Sequence, residues 1–411
     1  MRNRGIQLRA SLLALAALLL PLPALPQSEM PTFGTTVVIP FGLRGLIYFV
    51  HPRIPALPAF SAMDAVGAIY TPSLNVPKRV FKEGFPGVTN RIAGFAIDYT
   101  GRFYIDSPGN YQFRLTSDDG SKLYIDGHLV VDNDGIHTAG HVVTGNVDLS
   151  GGIHRVRVSY YQGPPMYLAL VLEVAGPDGN WQIFSTDHFK PPADPDQWKY
   201  GKPGDLGPDS PPLADSQAPK KAQKSFADGA AALADGDLQH AREHLEHALK
   251  QYKDYAQAWN SLGQLSEMEQ DPERARQAYE RALAANPDYI PAYVRLANLN
   301  LSQSRYTDVL QVTGAALAHQ PAGDPLIYLY DAVAKEHLKR LDDAEKSARQ
   351  AIDIDMAREA PQAEYLLGML LAAKHDTPGA LDHLRMYLKI APHARDADEV
   401  RTTIRSLEPS H

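Results

Sequence analysis

The chain has no cysteine among its 411 residues. That absence excludes disulfides, a lipidated cysteine, thiolate catalysis and cysteine-ligated zinc. Long apolar runs are missing as well. The longest, Leu12 to Leu20, falls well short of the roughly 20 residues needed to span a bilayer. There is no excess of positive charge either: the formal net charge is -8, which gives no general electrostatic footprint for nucleic acid. Enzyme signatures are also lacking. The chain has no Gly-x-Ser-x-Gly elbow, no His-Glu-x-x-His and no phosphate-binding glycine loop ending in Lys-Ser/Thr. Its acidic residues could supply a glycosidase pair, but the segments described below leave no room for a catalytic domain. A non-enzymatic protein is expected.

Hydrophobic residues make up 44% of the chain and charged ones 21%, so a folded core is affordable, and the length suggests two domains. Arg2, Arg4 and Arg9 precede the Leu12–Leu20 run, and Pro21, Pro23 and Ala24 follow it. This basic, apolar, small-residue order predicts a secretory signal over residues 1–28. The expected destination is the periplasm, the outer surface or the medium, with no stable transmembrane segment in the mature chain. An exported chain without disulfides must rely on its cores.

Two periods divide the remainder. From about Phe95 to Val174 apolar residues alternate: Phe95, Ile97 and Tyr99 share one face, as do Tyr111, Phe113 and Leu115, and Val156, Val158 and Tyr160. Period two with aromatic and β-branched residues predicts half-buried antiparallel strands. Ser107-Pro108-Gly109-Asn110 reads as a turn, and Asp126-Gly127 as a tight hairpin. The expected architecture is a β-sandwich or barrel over residues 33–189. Residues 190–221 follow, with eight prolines and three glycines between Pro191 and Pro219, and predict an extended linker.

After Ala222 the period becomes helical and the pattern repeats, with frames beginning at Ala222, Ala256, Ile290, Pro325 and Pro361. The second frame carries Trp259, Leu262, Gly263, Ala275, Tyr279, Ala282 and Pro287 at tetratricopeptide spacing. Small residues let paired helices approach, large ones fill the gaps, and proline ends the second helix. Residues 222–394 are therefore identified as five tetratricopeptide repeats in an all-α solenoid, with residues 395–411 as a capping helix and tail. In that frame Gln257, Asn260, Gln264, Arg295 and Asn298 face the concave groove and form the expected protein-binding surface.

The first domain carries Ser117-Asp118-Asp119-Gly120-Ser121-Lys122-Leu123-Tyr124-Ile125-Asp126-Gly127, then Val130-Val131-Asp132-Asn133-Asp134-Gly135 and Gly152-Ile153-His154. Together these resemble the anthrax protective-antigen (PA-fourteen) family. Gly42–Tyr48 looks like that family's opening strand, and Gly101–Ile105 with Gly109–Phe113 like its central hairpin. The resemblance implies carbohydrate binding. In the adhesin branch it further implies that consecutive aspartates joined by a cis peptide, here Asp118 and Asp119, hold Ca2+, which in turn holds sugar hydroxyls. Hard carboxylate oxygens suit that ion. The later-loop asparagine of the adhesins is assigned to Asn180. No long insertion like the adhesins' sugar-binding loops is evident. Asp-Asp-Gly-Ser also reads as a plain turn between strands.

Two functions stay open at this point. One is an exported binding protein whose β domain takes carbohydrate or a cell-surface glycan, with Ca2+ as a cofactor, while its repeats take a protein partner. The other is an envelope assembly or secretion adaptor acting through its repeats, with the β domain only structural.

Overall fold

The computed structural model describes residues 34–37, 39, 41–80, 91–138, 140–164, 167–190, 218–320, 323–355, 358–392 and 394–408. The expected signal over 1–28 and nearly all of the linker lie outside the described residues.

The β domain is a sandwich of antiparallel sheets. One sheet has the order β2-β1-β4-β9-β6-β7, from β1 (Leu43–Phe49), β2 (Gly67–Thr71), β4 (Phe95–Ile105), β6 (Ser121–Ile125), β7 (His128–Asn133) and β9 (Gly152–Gln162). The other has the order β11-β10-β5-β8, from β5 (Gly109–Asp118), β8 (His141–Leu149), β10 (Leu168–Ala175) and β11 (Trp181–Ile183), with β3 (Asn75–Arg79) also paired to β10. The alternating residues build the core between the sheets: Phe95, Ile97, Tyr99, Phe113, Leu115, Val158 and Tyr160 are all buried there. Asp126 and Gly127, both at positive φ, turn β6 into β7, as the hairpin signal requires.

The turn at Ser107–Asn110 corrects one expectation. β4 pairs with β1 and β9, and β5 with β8 and β10, so the two strands on either side of that turn belong to different sheets and form no hairpin. A Pro-Gly turn signals reversal of the chain and leaves open which sheet the returning strand joins.

Among the described residues ten helices pair as α1 (Lys220–Asp235) with α2 (Leu238–Gln251), α3 (Ala256–Met268) with α4 (Pro272–Ala285), α5 (Ile290–Ser302) with α6 (Tyr306–His319), α7 (Pro325–His337) with α8 (Leu341–Ile354), and α9 (Gln362–Ala373) with α10 (Thr377–Ile390). A last helix, α11 (Ala397–Leu407), packs Val400 and Ile404 against Leu384 and Tyr387. A residue in the left-handed conformation closes the first helix of every pair: Gly236, Gln270, Ser304, Lys339 and His375. Their spacing is that of the sequence repeat. Asp237, Asp271 and Asp376 then cap the second helices, accepting N–H bonds from His240, Arg274 and Gly379.

Within the unit that holds both modules, the outer face of the six-stranded sheet is covered. Antiparallel neighbours usually need two to five connecting residues. Yet β1 and β2 are joined by residues 50–66, which include a 3-10 turn at Phe60–Ala62. Phe60 packs with Leu46, Tyr48, Ala96 and Tyr161 on that outer face. Burying a phenylalanine contributes roughly 1.5–3 kcal/mol. With few large apolar residues and three prolines between Pro52 and Pro58, the stretch shows neither period and reads as ordinary loop.

Candidate functional site

Asp118 ends β5, and Asp119 follows it through a cis peptide bond. Both are buried, at 6% and 3% exposure. The Asp119 carboxylate accepts N–H bonds from Gly163 (2.8 Å) and from the His137 main chain. Burial pushes Asp119 above the usual carboxylate range, and those two bonds pull against the shift. No lysine or arginine among the described residues forms an ion pair with it. The Asp118 carbonyl accepts from Tyr160 Oη at 2.7 Å, which fixes the main chain beneath the pair.

Asn133 is the asparagine that the fold brings to this corner. It is 2% exposed, its Nδ2 donates to Ser117 Oγ (2.9 Å), and its Oδ1 lies 2.5 Å from His141 Nδ1. Asn180 is placed elsewhere. Its turn follows Ala175, which pairs with Gln112, and Pro177 lies against Gly109 at the far end of β5. Nine residue-to-residue steps separate the two ends of β5, roughly 30 Å. Among the described residues Asn180 bonds only to Asp178, in its own exposed turn. Asn133 stands inside the Val130–Gly135 motif and sits opposite Ser121 in register.

The donor set is of the kind a hard cation takes: two adjacent carboxylates and a nearby amide oxygen. Among the described residues no group of three or more His, Asp or Glu converges as a metal site. Six to eight oxygens would therefore require main-chain carbonyls, water or the hydroxyls of a ligand. The four histidines of this region separate. The His137 and His141 rings lie 4.8 Å apart at a tilt of 35°, whereas His154 bonds Asp126 (2.6 Å) and the Ser150 carbonyl, and His128 is exposed.

The repeat groove is not open where it was expected to be. Asn260 is fully buried and donates to Asp64 Oδ2 (2.9 Å), and Ser261 donates to the same oxygen (3.3 Å). Arg295 Nε donates to the Ala62 carbonyl (3.2 Å), Gln257 is 6% exposed, and Gln264 lines a cavity with Met63 and Asp64. Of the five expected groove residues Asn298 alone is exposed. Their role as a free surface is corrected: residues of the β1–β2 connection sit there. Burial pushes Asp64 up to about 7 against the bonds from Asn260 and Ser261 and the charge of Arg295. Some of its surface stays accessible, but its Oδ1 is buried without a partner.

A second bridge links the modules. Arg157 on β9 pairs with Asp98 (2.8 Å) on β4 and with Glu359 (2.6 Å), between α8 and α9. Burial pulls the guanidinium down, yet the two carboxylates hold it above its ordinary value. Asp98, whose own burial raises it, also accepts from Ser159.

A family model of the PA14 domain matches residues 87–183, within the sandwich that holds Asp118 and Asp119. A tetratricopeptide-repeat model matches residues 226–290 and 338–395. The chain carries a PA14 domain followed by tetratricopeptide repeats. Among solved structures, it is similar to the PA14 sugar-binding domain from an RTX adhesin at 22% identity, covering 36% of this chain and 97% of that one (TM-score 0.31). MamA from Desulfovibrio magneticus RS-1, residue 41 to the end, matches at 21% identity over 43% of this chain and 99% of its own (TM-score 0.37). A thermophilic TPR protein of Thermus thermophilus matches at 20% identity, covering 45% of this chain and 98% of that one (TM-score 0.36). No curated protein matches the chain. The PA14 match begins at residue 87, so β1, β2 and the long connection lie ahead of it. No helix among the described residues is long and apolar enough to cross a membrane.

Proposed function

We propose that the protein is a non-enzymatic binding protein whose PA14 domain takes carbohydrate at Asp118 and Asp119 with Ca2+, and whose repeats engage a protein. The observation that carries the reading is the buried carboxylate pair at one corner of a PA14 sandwich, with no ion-pairing cation on Asp119 among the described residues. Asp118, Asp119 and Asn133 would hold the ion. Its open positions would take vicinal sugar hydroxyls, which are good oxygen ligands for calcium. The order of charges, apolar residues and prolines in residues 1–28 supports export, to the periplasm, the outer surface or the medium.

The test is a glycan array probed with the full chain in calcium and again in excess chelator. Binding to defined sugars that the chelator abolishes is expected. Binding unchanged by the chelator would remove the ion from the account, and no binding in either condition would remove the sugar.

One observation favours a second reading, an envelope assembly or secretion adaptor in which the PA14 domain is structural. The β1–β2 connection seats itself among α3 and α5, so this domain is part of the repeat scaffold whatever else it binds. Chelator-insensitive capture of a protein, with no glycan bound, is the outcome that reading expects.

A further inference from the structure

The contacts in the repeat groove have the chemistry of peptide recognition. Asn260 and Ser261 of α3 read one carboxylate oxygen of Asp64, and Arg295 of α5 reads one main-chain carbonyl, that of Ala62. Ala59 and Ala62 pack against the apolar cluster that contains Tyr293 and Leu326, where small side chains leave room for the backbone to approach. Phe60 faces the other way. Its ring lies 4.9 Å from Tyr48 and 5.9 Å from the Arg157 guanidinium, anchoring the connection to its own sheet. The segment thus divides into an anchor, Phe60, and a presented motif, Ala62-Met63-Asp64.

The fit is incomplete. Asp64 Oδ1 and Asn260 Oδ1 are both buried acceptors without a hydrogen-bond partner. An occupant that satisfied Asn260 Oδ1 would bind better than the resident segment, because an unmet buried acceptor is costly.

We propose that residues 59–64 are a tethered ligand of the repeat groove, and that the groove takes in trans a peptide carrying a small residue two positions before an aspartate. The proposal rests on the reading of the repeats as protein-binding. A short tether acts at an effective concentration in the millimolar range. A free peptide of equal intrinsic affinity is therefore shut out of the wild-type groove until the resident is weakened or the partner adds contacts.

The test uses the full chain and a fluorescein-labelled synthetic peptide of residues 56–66. Asp64→Ala weakens the resident and leaves α3 and α5 intact. This variant is expected to bind the peptide at least tenfold more tightly than the wild type, and Asn260→Ala in the same background is expected to abolish the gain. An Asp64→Ala chain with wild-type circular dichroism that binds no better than the wild type would overturn the proposal. If the variant does not fold, hydrogen exchange of residues 59–66 in the wild type decides: millimolar unlabelled peptide speeds exchange if it displaces the segment, and no change overturns the assignment. A scrambled peptide that binds equally well would refute the motif while leaving the repeats as binders.

Discussion

Asp64→Asn isolates the groove's carboxylate. The docked carboxyl titrates near 7 against an ordinary value of 3.8, because burial disfavours its charge more than Asn260, Arg295 and Ser261 restore it. The docked state therefore holds the proton more tightly than the undocked one. The resulting stabilisation is complete below about pH 4 and is lost as pH rises through 7. The full difference corresponds to about 4 kcal/mol. Partial exposure of the side chain and screening reduce it, so a loss of about 1–2 kcal/mol is expected between pH 5 and pH 8. Asparagine has no proton to lose, and its amide can donate to the unpartnered Asn260 Oδ1. Urea unfolding of the full chain at pH 5, 6, 7 and 8 should show the wild type losing that much more stability than the variant. Asp98, Asp324 and Asp355 are also raised by burial, so both proteins slope in the same direction and the difference reports Asp64. Parallel curves, or a wild type that gains on the variant as pH rises, would refute the reasoning.

Three further outcomes follow from the geometry. Arg157→Ala leaves Asp98 and Glu359 facing each other beneath the repeats, and should cost about 2–4 kcal/mol by denaturant unfolding. A Cβ at Gly263 would lie 2.3 Å from the Tyr279 ring, so Gly263→Ala should cost about 1–3 kcal/mol and lower the melting temperature of the helical signal. Asn133→Ala should weaken calcium-dependent glycan binding about tenfold while Asn180→Ala leaves it unchanged, which equilibrium titration can separate.

The repeats were legible because their physics is local and recurrent. Gly263 and Tyr279 meet in the fold as their spacing implied, and helices begin at Ala256, Ile290 and Pro325 where the frames do. The alternating strands were legible too, but their polar faces were not. Arg157 and Ser159 alternate with core residues and read as a solvated face, yet both bond Asp98 beneath a covering segment. That cover comes from residues 50–66, which carry neither a helical nor a strand period, so no pattern announced it. The same gap hid the fate of the groove: Gln257, Asn260 and Arg295 face it as the repeat frame requires, but nothing local to α3 or α5 reveals that Ala62 and Asp64 already sit there. The position of Asn133 beside Ser117 is likewise not local, since it depends on the β6–β7 hairpin folding back over β5.

Calcium titration of the full chain by calorimetry, alongside the Asp118→Ala/Asp119→Ala double variant, tests the central claim most directly. The account predicts one calcium site in the wild type and none in a variant that retains its circular dichroism and its melting transition. A folded wild type that binds no calcium, or a double variant that binds it equally well, would contradict it.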